Sequence, residues 1–211
     1  MEHPITSPEI ERYIENLYPL EDPLLKEMEN FGIKSNFPLI GPLVGRILYQ
    51  LAKLSKAKKV FEMGSGFGYS AFWFALAVPE DGVVHLTDTS SKNTDLAKQF
   101  FTKGNLIHKA QIHTGDAVQI LTKLDEQFDI ILIDMDKEQY PKALEVAKAK
   151  LKLGGLIIAD NLLWFGRVLE KKGEPSTEAI KKFNQTLFND CSFISTLLPV
   201  RDGLGVAFKI S

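Results

Sequence analysis

The chain has 211 residues, of which 45% are hydrophobic and 25% charged, and its formal net charge is −2 at pH 7. This balance predicts no broad electrostatic attraction to nucleic acid or to an anionic membrane. The single cysteine, Cys191, excludes an intramolecular disulfide, and without a signal-like or spanning apolar run we expect a cytoplasmic protein.

The first 54 residues are predicted to be helical and to precede the sheet. Three segments have helical composition: Ser7 to Tyr18, Asp22 to Phe31 and Gly41 to Leu54. Pro8 and Pro23 fall where the first turn of a helix tolerates proline. Two interpretations stay open, because this segment could pack against the sheet or could form a substrate cap or a dimer contact.

Short apolar runs after residue 54 predict buried strands. They are Lys59 to Met63, Val83 to Thr87, Ala110 to His113, Phe128 to Ile133 and Gly155 to Ala159. Helix-forming segments lie between them: Ser70 to Val78, Ser91 to Lys103, Ala117 to Leu124 and Lys137 to Leu151. This alternation predicts βαβ crossovers and a parallel sheet.

The end of the chain follows a different pattern. Two runs, Ser192 to Leu198 and Leu204 to Ile210, are separated by five residues, too few for a helical crossover. We therefore predict an antiparallel hairpin at one edge of the sheet. The charged stretch Leu169 to Ser176 is expected to be a solvated loop. The prediction is one doubly wound, Rossmann-like α/β domain over residues 1–211, with its core in 55–211.

A glycine-rich turn follows the first predicted strand. Gly64, Gly66 and Gly68 lie between this strand and the next helix, and Glu62 stands two positions before the first glycine. Glycine permits positive φ and close approach of a ligand to the backbone. The spacing Gly-x-Gly-x-Gly differs from the Gly-x-Gly-x-x-Gly of dinucleotide sites. The turn therefore predicts a cofactor site at the carboxyl ends of the strands.

Acidic residues near this turn favour S-adenosylmethionine as the cofactor. The Glu62 carboxylate could hold the ammonium group of its amino-acid end, directly or through water. Asp88 ends the second strand, where a carboxylate accepts hydrogen bonds from ribose hydroxyls. Asp116 closes the third strand and could lie near the adenine. The alternative is a structural turn glycine with helix-capping aspartates.

Oxygen-bearing side chains follow the fourth and fifth strands. Asp134, Asp136 and Lys137 come after one strand, and Asp160 and Asn161 after the next. Two carboxylates and an amide oxygen suit a hard cation such as Mg²⁺ or Ca²⁺ rather than zinc. The four histidines lack zinc-like spacing; they are His3, His85, His108 and His113. The alternative is a pair of helix-capping residues and an ordinary lysine.

The sequence resembles a known family at this point. Five motifs carry the resemblance, which runs from about Phe37 to Ile210: residues 62–70, 133–137, 159–164, 166–168 and 198–203. They resemble those of the cation-dependent O-methyltransferases, which include catechol O-methyltransferase and plant caffeoyl-coenzyme A O-methyltransferases, and especially the small bacterial members.

The resemblance implies roles for particular residues. It implies that Asp134, Asp160 and Asn161 ligate a divalent cation (Mg²⁺, with Ca²⁺ or Mn²⁺ as alternatives) and that Lys137 is the general base. Contacts to S-adenosylmethionine are implied for a second set: Glu62, Gly64, Ser70, Asp88 and Asp134. It also implies a seven-stranded methyltransferase sheet with a reversed last strand, and a homodimer.

The implied chemistry is consistent. A phenol has a pKa near ~10, so little of it is nucleophilic phenolate at neutral pH. A Lewis-acidic cation lowers that pKa, and Lys137 in its neutral form can take the proton. Two adjacent hydroxyls would chelate the cation, so we expect a small catechol-like or caffeoyl-type aromatic acceptor. Trp164, Phe165 and Arg167 follow on a predicted loop, which could wall a planar acceptor or simply pack.

Three other functions fit the sequence less well. A Rossmann oxidoreductase would need the wider glycine spacing. A methyltransferase acting on a nucleobase or amide nitrogen often carries an Asn/Asp-Pro-Pro-Tyr segment where this chain has Asp134 to Lys137. A non-catalytic binding protein need not retain the oxygen ligands and the lysine. A methyltransferase of the same fold with a non-catechol acceptor remains open.

Overall fold

A computed structural model describes residues 5–211 of the chain, so His3 lies outside the described residues. Three helices precede the sheet, as predicted: α1 (Pro8–Leu17), α2 (Pro23–Ser35) and α3 (Gly41–Leu54). The side chains of Ser7 and Asp22 cap the first two, with proline in the first turn of each. Helix α2 continues past the predicted Phe31, because its next residue, Gly32, is still buried in the core.

Seven strands form one sheet. They are β1 (Lys59–Met63), β2 (Val83–Asp88), β3 (Ala110–Thr114), β4 (Phe128–Ile133), β5 (Leu151–Ala159), β6 (Phe193–Leu198) and β7 (Leu204–Lys209). Their order is β3-β2-β1-β4-β5-β7-β6. Neighbours among the first five strands are parallel, whereas β7 runs antiparallel to both β5 and β6. This confirms the predicted doubly wound sheet with an antiparallel C-terminal hairpin.

Five more α-helices cover the sheet. They are α4 (Tyr69–Ala77), α5 (Ser91–Lys103), α6 (Ala117–Lys123), α7 (Tyr140–Lys150) and α8 (Pro175–Asn189). Short 3-10 helices occur at Ile107–Lys109, Lys137–Gln139 and Trp164–Leu169. The prediction that Lys137 to Leu151 is one helix was wrong at both ends, because a 3-10 turn comes first and Leu151 already belongs to β5.

Two further boundaries differ from the prediction. Strand β5 begins at Leu151 instead of Gly155, since Leu151 pairs with Phe128 before a register shift in the ladder. The loop predicted for Leu169 to Ser176 is shorter in the structure, because α8 begins at Pro175. Helix α8 itself was not predicted, although it carries a fully buried stripe that includes Ile180 and Phe183.

Helices bury both faces of the sheet, which is why its central strands are apolar without alternation. Side chains of alternate strand residues enter opposite layers. Val60 packs in the layer that contains α2 to α5, and Phe61 packs in the layer that contains α6 to α8. The carboxyl ends of the strands are therefore the edge at which a ligand can reach the sheet. Within residues 5–211, no helix combines the length and apolar character needed to cross a membrane.

Candidate active site

A cleft of about 620 Å³ lies at the carboxyl ends of the strands. It extends from the glycine turn after β1 to the loops after β4 and β5. Nine of the predicted site residues line it: Gly64, Gly66, Ser70, Asp88, Asp116, Asp134, Lys137, Asp160 and Asn161. Two others, Glu62 and Gly68, lie behind its wall.

The sheet register brings the predicted residues together. Met63, Ile133 and Ala159 are the last residues of β1, β4 and β5, and they are aligned across the sheet. The backbone continues this pairing for one residue beyond the strands. The Asp134 amide donates to the Met63 carbonyl (2.9 Å), and the Asp160 amide donates to the Ile133 carbonyl (3.1 Å). The two aspartates are thus anchored side by side at the edge of the cleft.

The first glycine of the turn is required by this close arrangement. Gly64 has φ +89°, and a Cβ atom there would lie 2.2 Å from the Asp134 carbonyl oxygen. A Cβ on Gly66 would lie 2.6 Å from the Phe37 ring, which lines the same cleft. Gly68 differs in its surroundings, since its nearest neighbours are the apolar side chains of Ala97 and Phe101. Gly68 therefore serves the packing of α4, whereas Gly64 and Gly66 lie in the wall of the cleft, and their contact with a ligand stays a prediction.

Glu62 is a fully buried carboxyl group beneath the turn. Its Oε1 accepts a hydrogen bond from the Ser70 hydroxyl, and its Oε2 has no hydrogen-bond partner among the described residues. The pKa of Glu62 is raised to about 8, mainly by burial and also by the neighbouring Asp134 and Asp88 carboxylates, while the hydrogen bond from Ser70 opposes the rise. Such a carboxyl group would be stabilised in its ionised form by a cationic group of a ligand.

Asp88 and Asp116 both have structural partners. Asp88 Oδ1 accepts from the Ser90 amide (2.8 Å) and from the Asn93 side chain (3.1 Å), which orders the turn after β2. Asp116 was expected to close the third strand, but β3 ends at Thr114 and Asp116 caps α6 by accepting from the Gln119 amide (2.7 Å). Both residues nevertheless line the cleft, so their structural roles do not exclude ligand contacts.

Lys137 is held at the floor of the cleft by two hydrogen bonds. Its Nζ donates to Asp134 Oδ1 (2.9 Å) and to the Tyr140 hydroxyl (2.9 Å), and the side chain is only 11% exposed. The Tyr140 hydroxyl in turn lies 3.0 Å from the Asp160 carbonyl oxygen. Burial raises the pKa of Tyr140 well above its ordinary value, so this hydroxyl stays protonated. The lysine is therefore fixed between the two strand ends.

The three predicted oxygen ligands, Asp134, Asp160 and Asn161, all line this cleft. Asp160 is buried, and burial together with the Asp134 carboxylate raises the pKa of Asp160 to about 7. Asn161 adopts a left-handed conformation with φ 61°. Within residues 5–211 no group of three or more His, Cys, Asp or Glu side chains could hold a metal ion, and the predicted set contains two carboxylates and one amide.

Aromatic and apolar side chains complete the cleft. Trp164 and Phe165 form one wall, and the Trp164 ring centroid lies 5.8 Å from Lys137 Nζ. The Arg167 guanidinium also lies 5.8 Å from the centroid of this indole ring. The opposite wall comes from the N-terminal helical segment, through residues 37–40. That segment packs in the core and also lines the cleft, while a role as substrate cap or dimer contact stays a prediction.

Sequence reasoning missed three residues that build the site. Tyr140 follows Lys137 by three positions, a helical spacing that could have indicated contact. Thr87 accepts a hydrogen bond from the Gly64 amide (3.4 Å) and donates to the Glu62 carbonyl (2.8 Å). Asp202 lies in the turn between β6 and β7, within the motif 198–203 to which sequence reasoning assigned no role, and the fold brings it against Phe165 at the edge of the cleft.

The sheet order with its reversed last strand, and the cleft between the glycine turn and the ends of β4 and β5, define the Rossmann-like methyltransferase class. Within that class the sequence is specific. The O-methyltransferase family matches residues 15–210, and the chain belongs to this family. It is therefore an O-methyltransferase.

Individual relatives agree with this assignment. The chain is 32% identical to a catechol O-methyltransferase of Niastella koreensis, over 94% of this chain and 95% of the relative. It is 30% identical to caffeoyl-CoA O-methyltransferase 2 of Populus trichocarpa, over 92% and 85%. Among solved structures, the O-methyltransferase of Bacillus cereus in complex with SAH is similar, with 26% identity, a TM-score of 0.87 and coverage of 95% and 97%.

Proposed function

We propose that this protein transfers a methyl group from S-adenosylmethionine to a hydroxyl of a small catechol-like or caffeoyl-type aromatic, with a divalent cation bound at the acceptor side. The observation that carries the proposal is the convergence of four side chains in one cleft beside an aromatic wall. These side chains are Asp134, Lys137, Asp160 and Asn161. Relatives named catechol and caffeoyl-CoA O-methyltransferases support the acceptor class.

The glycine side of the cleft is suited to the cofactor. Relatives of the chain bind SAH or SAM in solved structures, which supports S-adenosylmethionine as the methyl donor. In our proposal the buried Glu62 stabilises the ammonium group of the methionine end, with Ser70 fixing the carboxylate. The backbone of Gly64 and Gly66, which lines the cleft, would admit this end of the molecule. Asp88 would bind the ribose hydroxyls, and Asp116 would lie towards the adenine.

The acceptor side fits a hard divalent cation, Mg²⁺ before Ca²⁺ or Mn²⁺. Asp134, Asp160 and Asn161 provide only oxygen donors, which such ions prefer. The Asp160 carboxyl group is buried next to the Asp134 carboxylate, an arrangement that disfavours ionisation of Asp160. A cation held by these residues would remove that conflict. When bound, it would supply Lewis-acid chemistry that lowers the pKa of the acceptor hydroxyl.

Lys137 is proposed to remove the proton from that hydroxyl. Two N–H groups of its amine donate to Asp134 and to the Tyr140 hydroxyl. The lone pair of the neutral amine can therefore face the acceptor. Tyr140, anchored to the Asp160 carbonyl, keeps the amine at a fixed place relative to the oxygen ligands. The proton moves from the acceptor oxygen to the neutral amine as the methyl group leaves the sulfonium.

Trp164 and Phe165 are proposed to orient the aromatic ring of the acceptor. Phe165 is 45% exposed and lines the cleft beside Trp164, so its ring is available to contact a planar acceptor. Holding acceptor and donor in line is itself a large contribution to rate.

The test is transfer of labelled methyl groups from S-adenosylmethionine to a panel of catechols and caffeoyl compounds, with Mg²⁺ and then with EDTA. We expect methylation of vicinal hydroxyls that EDTA abolishes and added Mg²⁺ restores. Activity that survives EDTA would overturn the role of the cation. Activity only on compounds with a single hydroxyl or none would overturn the acceptor class, while the O-methyltransferase assignment would stand.

A further inference from the structure

The loop that carries Asn161 and the aromatic wall has an unfavourable backbone conformation. We call residues 161–165 the acceptor loop. Asn161, Trp164 and Phe165 all have left-handed φ values, of 61°, 47° and 53°. Non-glycine residues adopt such a conformation rarely, and bulky side chains more rarely still. Contacts outside the loop must therefore stabilise it.

Those contacts come from the turn between β6 and β7. The Leu162 amide donates to the Gly203 carbonyl and the Leu163 amide donates to the Asp202 carbonyl, both at 2.9 Å. The two backbones approach so closely that a Cβ atom on Gly203 would lie 2.6 Å from Leu163 Cγ. The turn thus binds the first half of the acceptor loop through its main chain.

The side chain of Asp202 holds the second half. It is only 7% exposed, and its Oδ1 accepts a hydrogen bond from the Phe165 amide. Its Oδ2 is buried and has no partner at hydrogen-bond distance among the described residues. Burial raises the pKa of Asp202, and donation from the Phe165 amide and from the Asn161 side chain opposes that rise. The Asn161 side-chain amide is thus a donor within reach of this carboxylate.

We propose that Asp202 is a positioning residue, which holds the acceptor loop in its left-handed conformation and turns the oxygen of the Asn161 side chain towards the cation. The inference rests on the proposed function, because it takes Asn161 as an oxygen ligand. It extends that function, since Asp202 belongs to none of the proposed ligand or base positions.

The orientation follows from hydrogen-bond chemistry. A side-chain amide has an oxygen that accepts and a nitrogen that donates, and only the oxygen binds a hard cation. An ionised carboxylate accepts only, so Asp202 draws the nitrogen of Asn161 towards itself and leaves the oxygen facing Asp134 and Asp160. Partners that orient a ligand in this way typically affect metal affinity about 10–100-fold.

Two substitutions separate the two parts of the role. Asp202→Asn keeps an oxygen for the Phe165 amide but presents an NH₂ group to Asn161, which favours the wrong orientation of the Asn161 amide. Asp202→Ala removes both interactions. A matched control is Asp190→Asn, because Asp190 also accepts from a main-chain amide, that of Ser192 (2.9 Å), outside the cleft.

The measurements are Mn²⁺ binding by EPR on the full chain with SAH present, and acrylamide quenching of Trp164 in a Trp73→Phe background. We expect Asp202→Asn to weaken Mn²⁺ about 10–100-fold with quenching unchanged. Asp202→Ala should weaken Mn²⁺ and also increase quenching, and Asp190→Asn should change neither. Thermal unfolding and SAH affinity show whether each variant is folded.

The controls distinguish failure of this inference from failure of the proposed function. If the unsubstituted protein binds no Mn²⁺, or Asn161→Ala binds it as well, the proposed ligand set is wrong and the inference falls with it. If Asn161→Ala loses Mn²⁺ but Asp202→Asn binds it normally, the ligand set stands and the orienting role of Asp202 is wrong. If Trp164 quenching is the same in Asp202→Ala, the role in holding the loop is wrong.

Discussion

At the scale of single residues, Lys137 combines burial with two fixed hydrogen bonds, to Asp134 and Tyr140. Substituting Lys137→Ala removes the proposed base without touching the glycine turn. We expect the rate of methyl transfer to fall about 10²–10⁴-fold, the usual contribution of a general base, while SAH affinity stays within a factor of about three. Single-turnover kinetics and calorimetric titration with SAH measure the two quantities.

Lys142→Ala is the matched control for this substitution, because Lys142 pairs with Glu145 on the exposed side of α7. Its activity should equal that of the unsubstituted protein. Full activity in Lys137→Ala would mean that another group takes the proton. A joint loss of SAH affinity would mean that Lys137 supports the cofactor site instead.

A second prediction concerns the buried Glu62 carboxyl group, whose pKa is raised to about 8. Below that pH the carboxyl group of the free protein is mostly protonated, whereas the ammonium group of the cofactor favours the carboxylate. We therefore expect SAH affinity to rise with pH from 6 to 8 and then to level off. Glu62→Gln should bind SAH more weakly at pH 8 and show a smaller dependence on pH.

Calorimetry at pH 6, 7 and 8 measures this dependence, and buffers of different ionisation enthalpy report the proton released on binding. Ser70→Ala is an informative control, because it removes the hydrogen bond to Glu62 but keeps the carboxyl group. If the slope with pH were the same in Glu62→Gln, another group would be responsible for it.

The site residues that could be predicted from the sequence are those that follow strand ends. Asp134 and Asp160 each stand one position after an apolar run, so the rule that parallel strands end at one edge brings them together. Asp202 and Thr87 could not be predicted in this way. Their roles depend on side-chain hydrogen bonds across the fold, which no local spacing encodes.

At the scale of elements, the turn between β1 and α4 depends on the absence of a side chain at Gly64. Gly64→Ala places a Cβ atom 2.2 Å from the Asp134 carbonyl oxygen at φ +89°, so we expect steric clash as well as backbone strain. The loss of stability should exceed about 2 kcal/mol, and SAH binding should be lost. Urea unfolding and SAH titration measure these effects.

Gly154→Ala is the matched control, since Gly154 also has positive φ (+78°) but nothing lies within 4 Å of the position that a Cβ atom would take there. The Gly154→Ala variant tests backbone strain alone. Its free energy of unfolding should fall by about 1 kcal/mol, and its SAH binding should be unchanged. Equal losses in the two variants would show that contact with Asp134 is not what requires glycine at position 64.

Element types were predictable where apolar periodicity was strong, and α8 shows where prediction stopped. Its sequence contains a proline in the first turn and buried residues at helical spacing, namely Ile180, Phe183 and Leu187. The predicted loop, Leu169 to Ser176, wrongly included the first two residues of this helix. The surrounding polar residues are solvent-facing positions of an amphipathic helix, so the signal was present but weak.

At the scale of the whole molecule, a pair of stacked histidines affects the dependence of stability on pH. His85 Nδ1 lies 3.2 Å from His113 Nε2, and Glu126 lies beside the other nitrogen of His85 at 3.7 Å. Burial lowers the pKa of His85 to about 4; Glu126 opposes this shift, and His113 and Lys59 add to it. Folding therefore keeps His85 neutral in mildly acidic solution.

The sign of the effect follows from linkage. Between the ordinary pKa of 6.5 and about 4, the unfolded chain binds a proton at His85 that the folded chain does not. The free energy of unfolding should therefore decrease as pH falls through this range, by at most ~1.4 kcal/mol per pH unit from this group. At pH values well above the ordinary pKa, His85 should not contribute to the dependence of the unfolding free energy on pH.

Urea unfolding at pH 7, 6 and 5 tests this expectation. His85→Asn should flatten the slope, leaving a remainder from His113, whose pKa is also lowered by burial. His108→Asn is the control, because the His108 side chain is 45% exposed. An unchanged slope in His85→Asn would show that other groups determine acid sensitivity.

The link between the acceptor loop and the β6–β7 turn has a consequence for how the protein is made. Asp202 and Gly203 are synthesised after residues 162–165, yet they hold those residues in place. Strand β7 must also insert between β5 and β6. A nascent chain can therefore build the cofactor half of the cleft first, and the acceptor half becomes ordered only after the hairpin has been synthesised and has docked.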